Sequence, residues 1–225
     1  MTCKRSYCRK VPVMRWSRWL CSMLLLCLLA CSRQPVPALW SERLAAQELV
    51  HAGQVYQARG EQAQALQAYQ QAVHMHPGYL PAWIALGDLH YVRREYAQAE
   101  AIYKKILTLN PQQAQIYNNL CWVYLSTHRS LDEAESLIQQ ALALNPSPRY
   151  WYLDTQAVIW MRQGKYDQAL ASLDEAIALT PPTAHEELAQ RYQLRAEMYH
   201  RMGQAQEAQA AQEQAADARR LSNKP

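Results

Sequence analysis

The chain has 225 residues, with 23 Lys and Arg against 19 Asp and Glu, a formal net charge of +4 and six cysteines. Six of the basic residues and four of the cysteines lie in the first 30 residues, which contain no Asp or Glu, and the remainder has a net charge of about −2. The bulk of the chain therefore resembles neither a basic nucleic-acid-binding protein nor a disulfide framework. Ala and Gln make up about a quarter of the sequence and Gly occurs only six times, which favours helices over a β-sandwich or a Rossmann domain.

The first 30 residues have the organisation of an export signal. Residues 1–18 are basic, Trp19–Ala30 is a 12-residue apolar run, and Cys31 follows directly. Twelve apolar residues are too few to span a membrane, but they suit a cleaved secretion signal. Leu28–Cys31 resembles the lipobox of bacterial lipoproteins, in which the signal is cut before the cysteine. The resemblance implies a signal peptide over 1–30 and acylation of Cys31, with palmitate among the expected chains.

Two further residues refine this interpretation. Ser32 follows the cysteine, where similar lipoproteins that stay in the inner membrane often have Asp. The resemblance therefore implies an outer-membrane lipoprotein that faces the periplasm. Met14 is an alternative start that would give a more compact signal. Residues 31–40 lack helical periodicity and contain two prolines, so we expect a short tether there.

From residue 41 onward the sequence is repetitive. Pro77, Pro111, Pro146 and Pro181 recur at intervals of 34 or 35 residues, and such a period indicates a repeat architecture. The clearest unit reads Trp83-x2-Leu86-Gly87, then Ala99-x3-Tyr103, then Pro111.

This pattern resembles the tetratricopeptide repeat. The resemblance implies an all-α fold, a right-handed superhelical α-solenoid of about five helix pairs over 41–222. We place the units at about 46–79, 80–113, 114–148, 150–183 and 189–222.

Small residues recur where paired helices must approach closely. Because five aligned units place Gly or another small residue there, Cys121 at the same position is expected to be a buried structural thiol. The third unit has one extra residue in its middle turn. Ser130-x2-Glu133 and Thr183-x2-Glu186 predict capping boxes, and Asn110 and Asn145 before prolines predict left-handed helix ends.

No catalytic constellation is evident, so we expect neither enzyme activity nor a small-molecule substrate. His74 and His76 are two residues apart and do not share a helix face. His185-Glu186-Glu187 lacks the second His of a zinc motif, and every Gly falls at a repeat turn or a packing position rather than in a phosphate loop. We therefore expect no metal and no cofactor.

The family resemblance implies a groove lined by the first helix of each pair. The carboxylate clamp of some members is not supported, since Val50, Gln54, Pro81 and Ala85 hold the corresponding places. The groove is instead rich in amides and aromatics, and Asn119 resembles the Asn that bonds peptide backbone in peptide-binding members. The predicted partner-binding residues are Gln54, Asp88, Tyr91, Asn118, Asn119, Trp122, Trp151, Asp154, Met161 and Arg162.

These observations predict a lipid-anchored periplasmic adaptor for a protein or peptide partner, without nucleic acid. Pilus assembly and recruitment of cell-wall enzymes are the contexts that the resemblance suggests. Two alternatives stay open. The protein could be a self-associating assembly subunit without a peptide groove, and Trp122 and Trp151 could be ordinary packing residues between repeats.

Overall fold

The computed structural model describes residues 38–223, and in this part of the chain it contains ten α-helices and no β-strand. Consecutive helices pair into five antiparallel hairpins, which confirms the all-α repeat architecture. The helices are α1 Ala38–Ala58, α2 Gln62–Met75, α3 Leu80–Val92, α4 Tyr96–Leu109, α5 Ala114–Ser126, α6 Leu131–Ala143, α7 Tyr150–Arg162, α8 Tyr166–Leu179, α9 His185–Arg201 and α10 Ala205–Ser222.

The predicted signal peptide 1–30 and Cys31 lie outside the described residues. The structure describes α1 from Ala38 onward, and its first residues overlap the predicted tether 31–40. Within residues 38–223 no helix is both long and apolar enough to cross a membrane.

The turns inside the hairpins are short and share one geometry. Four of them have three residues, and their middle residue adopts a left-handed conformation: Gly60, Arg94, Gly164 and Gly203 have φ values of 62° to 79°. The third turn has four residues, 127–130, with His128 at φ 54°. The extra residue predicted in the third unit is thus confirmed. Glycine accepts positive φ without steric cost, which explains why three of these five turns have glycine at the left-handed position.

The predicted helix caps are only partly correct. Ser130 is the N-cap of α6, but its side chain caps no backbone N–H, so the capping box does not form. The N-cap of α9 is Ala184 rather than Thr183, because Ala184 N–H donates to Pro181 O at 2.9 Å and this turn delays the helix by one residue. Asn145 has the predicted left-handed conformation, with φ 49°, whereas Asn110 has φ −145°.

From α2 onward each helix packs on its neighbours in the chain, and α1 shares a buried cluster with α2 and α3. The first helices of consecutive pairs also touch, as α3 with α5 and α5 with α7. The part from Arg43 onward forms one compact unit. Its largest buried cluster joins α4, α5, α6 and α7 around Tyr103, Ile116 and Ile138. This stacking places the first helices of successive repeats, which carry the predicted partner-binding residues, side by side.

Two glycines let tyrosine rings into the core. A Cβ atom at Gly53 would lie 2.3 Å from Tyr69 Cε1, and one at Gly87 would lie 2.7 Å from Tyr103 Cε1. Both tyrosines are almost fully buried, at 1% exposure. Each glycine on the first helix of its pair therefore faces a tyrosine ring from the second helix. The ring fills the space that a side chain at the glycine would occupy.

Candidate partner-binding groove

The predicted partner-binding residues lie on four of the first helices. Gln54 is on α1, Asp88 and Tyr91 on α3, Asn118, Asn119 and Trp122 on α5, and Trp151, Asp154, Met161 and Arg162 on α7. Residues three apart on a helix share a face, so Asp88 and Tyr91 project together from α3, as do Asn119 and Trp122 from α5.

Four of these residues line one pocket between α3 and α5. The pocket has a volume of about 190 Å³, and its walls are Asp88, Tyr91, Val92, Tyr103, Gln115, Asn119 and Trp122. Adjacent repeats thus contribute to a single concave site that combines a carboxylate, two amides and three aromatic rings. An arrangement of this kind can hold a side chain of a partner by hydrogen bonds and ring contacts.

Asp88 is the polar centre of the pocket. Its Oδ1 accepts a hydrogen bond of 2.6 Å from the Tyr103 hydroxyl and one of 2.9 Å from Asn119 Nδ2. Burial raises the pKa of Asp88 above its ordinary value, while these two hydrogen bonds act in the opposite direction. Burial and the nearby carboxylate also raise the pKa of Tyr103 far above its usual range, so Tyr103 remains a donor.

The two aromatic walls differ in how they are held. The hydroxyl of Tyr91 lies 3.1 Å from Ser126 Oγ, and its ring is tilted against Tyr96 with a centroid distance of 5.6 Å. Trp122 is half-buried and packs against the central core cluster. Trp122 therefore combines a packing contact with an accessible face in the pocket.

The residues on α7 do not converge on this pocket. Asp154 forms a bidentate ion pair with Arg191 of α9, with distances of 3.0 Å from Nε to Oδ1 and 2.7 Å from Nη2 to Oδ2. The Arg191 side chain is 4% exposed, and its guanidinium lies 4.7 Å from the centre of the Tyr150 ring. Burial raises the pKa of Asp154 to about 6, although Arg191 acts against this shift.

The remaining predicted residues have separate environments. Trp151 is 52% exposed and meets the Tyr150 ring edge-on at 6.0 Å, whereas Met161 is buried in the cluster around Leu173. Arg162 Nη1 donates to Leu125 O at 2.9 Å. Asn118 Oδ1 is buried without a hydrogen-bond partner in the described chain. Gln54 is exposed on α1.

Sequence reasoning missed four contributors to these sites, namely Val92, Gln115, Tyr103 and Arg191. Gln115 lies four residues before Asn119, and this spacing alone could have placed it on the pocket face of α5. Tyr103 reaches the pocket from the second helix of its pair, and Arg191 reaches Asp154 from 37 residues away. No local pattern signals these two contacts.

Cys121 is fully buried, and its thiol donates to Ala134 O with an Sγ–O distance of 3.2 Å. Burial raises the pKa of this thiol to about 12. The prediction of a buried structural thiol is confirmed. In the described part of the chain, no group of three or more His, Cys, Asp or Glu side chains is arranged to hold a metal ion.

Comparisons with known proteins agree with this architecture. Three family models described as tetratricopeptide repeat match residues 51–114, 93–157 and 189–220, which together cover more than half of the chain. No curated protein sequence matches.

Solved structures with the same fold share little sequence with the chain. PilF of Pseudomonas aeruginosa is 18% identical, with a TM-score of 0.69 over 79% of this chain and 78% of that one. PilW, described as a widely conserved type IV pilus biogenesis factor, is 18% identical, with a TM-score of 0.70 over 77% of each chain. YrrB, described as having an unusual peptide-binding site, is 17% identical, with a TM-score of 0.55 over 76% of this chain and 84% of that one.

Proposed function

Because the chain belongs to the tetratricopeptide repeat family, whose repeats form a scaffold for protein–protein interaction, we propose that it is an adaptor without catalytic activity. In this proposal, the groove formed by its first helices holds a segment of a partner protein. The partner would sit mainly between α3 and α5, where side chains of two repeats line one pocket.

The pocket between Asp88 and Trp122 carries this proposal. It offers polar groups and accessible ring surface from two adjacent helices, and aromatic residues often dominate the energetics of protein interfaces. The half-exposed Trp151 on α7 gives a partner a second aromatic contact further along the array.

We further propose that the adaptor works at the periplasmic face of the outer membrane. This part rests on the lipobox-like sequence that ends at Cys31 and on Ser32 after it. One acyl chain gives only marginal membrane binding, and stable attachment requires at least two. Assembly of a type IV pilus is the context suggested by the description of PilW, and recruitment of a cell-wall enzyme is the alternative.

Site-specific crosslinking in living cells tests the adaptor function. A photoreactive amino acid replaces Gln115, which lines the pocket, and a control variant carries it at Gln98, an exposed residue of α4 outside the pocket. We expect a defined heterologous partner from position 115, identified by mass spectrometry, and none from position 98.

The oligomeric state separates the adaptor from a self-associating subunit. We expect the purified protein to be a monomer in solution. Crosslinks from position 115 to a second copy of the chain, together with a concentration-dependent increase in mass, would contradict the adaptor and support an assembly subunit.

A further inference from the structure

The pocket between α3 and α5 presents unused hydrogen-bond acceptors. Both internal hydrogen bonds to Asp88 go to Oδ1, and Oδ2 receives none from the described residues. An ionised carboxylate can only accept hydrogen bonds, so Asn119 must turn its amide nitrogen toward Asp88. Asn119 Oδ1 then remains as a second acceptor, and neither this atom nor Asp88 Oδ2 is sealed from solvent.

The lining of the pocket contains no basic residue to balance Asp88. Its walls include one acidic side chain and no Lys or Arg. A half-buried carboxylate without a cation is unfavourable, because burial disfavours its charged form. The raised pKa of Asp88 agrees with this geometry. A cation supplied from outside would relieve the cost.

The chain itself shows how such a carboxylate is satisfied elsewhere in the same array. Asp154 receives a bidentate guanidinium from Arg191, and that guanidinium also covers the ring of Tyr150 at 4.7 Å. The pocket at Asp88 likewise combines a carboxylate with ring surface from Tyr91 and Trp122, but its lining contains no arginine. A planar guanidinium suits this setting better than an ammonium, because it can donate to two acceptors at once and lie against aromatic faces.

We propose that the pocket receives an arginine side chain of the partner protein. Its guanidinium would donate to Asp88 Oδ2 and Asn119 Oδ1, and its flat face would lie against Trp122 or Tyr91. This inference rests on the proposed adaptor function and specifies the chemistry that the partner must present.

Peptide pools with one fixed position test the assignment. Nine-residue peptides are randomised except at the centre, which is Arg, Lys, Gln or Glu, and binding to the full chain is followed by fluorescence polarisation. We expect the Arg pool to bind about tenfold more tightly than the Gln pool, with Lys between them, because charge-assisted bidentate hydrogen bonds are strong. The Glu pool should bind most weakly.

Two variants connect the preference to Asp88. In Asp88→Asn the remaining oxygen can still accept from Tyr103 and Asn119, while Oδ2 becomes an amide donor, so the preference for Arg should fall to near onefold. The control Asp167→Asn removes an exposed carboxylate of α8 and should keep the preference. Gln115→Lys, at an exposed site, would place a competing cation in the pocket and should also abolish it, even if Asp88→Asn is unstable.

Equal binding of the Arg and Gln pools, or an Arg preference that survives in both pocket variants, would overturn the proposal. Failure of every pool to bind would overturn it as well. The crosslinking experiment at position 115 tests the adaptor function separately, because it detects a partner whether or not that partner presents an arginine.

Discussion

At the level of single residues, the contact between Gly87 and Tyr103 couples the first helix of the second pair to its second helix. The tyrosine ring occupies the space that a side chain at position 87 would need, and its hydroxyl is held by Asp88 at 2.6 Å. The ring therefore cannot move away without giving up this hydrogen bond. The same coupling joins packing in the core to the polar centre of the pocket.

Gly87→Ala should destabilise the protein. The new Cβ would lie 2.7 Å from Tyr103 Cε1 and 3.2 Å from Ile102 Cγ2, and overpacking of this kind costs about 1–3 kcal/mol. The gain in helix propensity from Gly to Ala is at most about 1 kcal/mol, so we expect a net loss in the free energy of unfolding, measured by chemical denaturation.

The same substitution in a protein that carries Tyr103→Leu provides the control for this prediction. The fourth pair has Ala157 and Leu173 at the corresponding positions, and both are fully buried. Gly87→Ala should therefore cost little when Tyr103 is replaced by Leu. An equal loss in both backgrounds would show that the ring is not the cause.

Residue patterns predicted which positions are buried and which residues share a helix face, but they did not predict the long-range side-chain partners. The 34- to 35-residue period correctly placed Cys121 in the core, and helical spacing grouped Asp88 with Tyr91 and Asn119 with Trp122. The partner of Asp154 could not be predicted, since a period shows which face of a helix is buried but not which distant side chain reaches it. The missing Ser130 cap shows that a favourable local motif need not form its hydrogen bond.

At the level of helices, Arg191 is the main polar connection between α7 and α9. It pairs with Asp154 at 2.7 Å, and Glu187 lies 3.6 Å away on its own helix. Removing one partner of a buried ion pair leaves the other charge without compensation. The stability of this contact should therefore depend on the protonation of Asp154.

Arg191→Met should destabilise the protein by about 3 kcal/mol at pH 8 and by clearly less at pH 5. The pKa of Asp154 is about 6 in the folded chain, above its ordinary value of 3.8, and loss of the guanidinium raises it further. A folded state that holds its proton more tightly than the unfolded state loses stability as pH rises through that range. Urea denaturation of both proteins across pH 5–8 measures the difference.

The double variant Asp154→Asn/Arg191→Met is the matched control for this experiment. It has no titrating carboxyl at position 154, so the additional pH dependence should disappear. A single variant whose loss of stability is the same at pH 5 and pH 8 would contradict the assigned role of Asp154.

At the level of the whole molecule, the sequence correctly predicted the repeat architecture, because the proline spacing and the small-residue positions recur in five units. Helix starts were less predictable. Helix α9 begins at His185, directly after the turn from Pro181 to Ala184. This start lies four residues before residue 189, the predicted beginning of the fifth unit. At this turn a backbone hydrogen bond, rather than the repeat period, sets the residue at which the helix begins.

Cys31→Ser should release the protein from the membrane fraction. In a bacterial host that processes lipoproteins, the full chain should partition into the detergent phase after temperature-induced phase separation, because acyl chains bury many methylene groups in the micelle. The variant should move to the aqueous phase. Cys27→Ser, four residues earlier, is the control and should behave as the unchanged protein; detergent-phase partitioning of the Cys31 variant would contradict the anchor.

The neighbour-to-neighbour packing of the described helices also determines how this chain can acquire its structure. Every substantial helix contact joins elements next to each other or one helix apart, so no repeat must wait for a distant segment before it can fold. Local contacts of this kind favour rapid folding, and stability propagates from one repeat to the next. A nascent chain can thus fold in order from its amino-terminal side, each hairpin docking on the one that emerged before it.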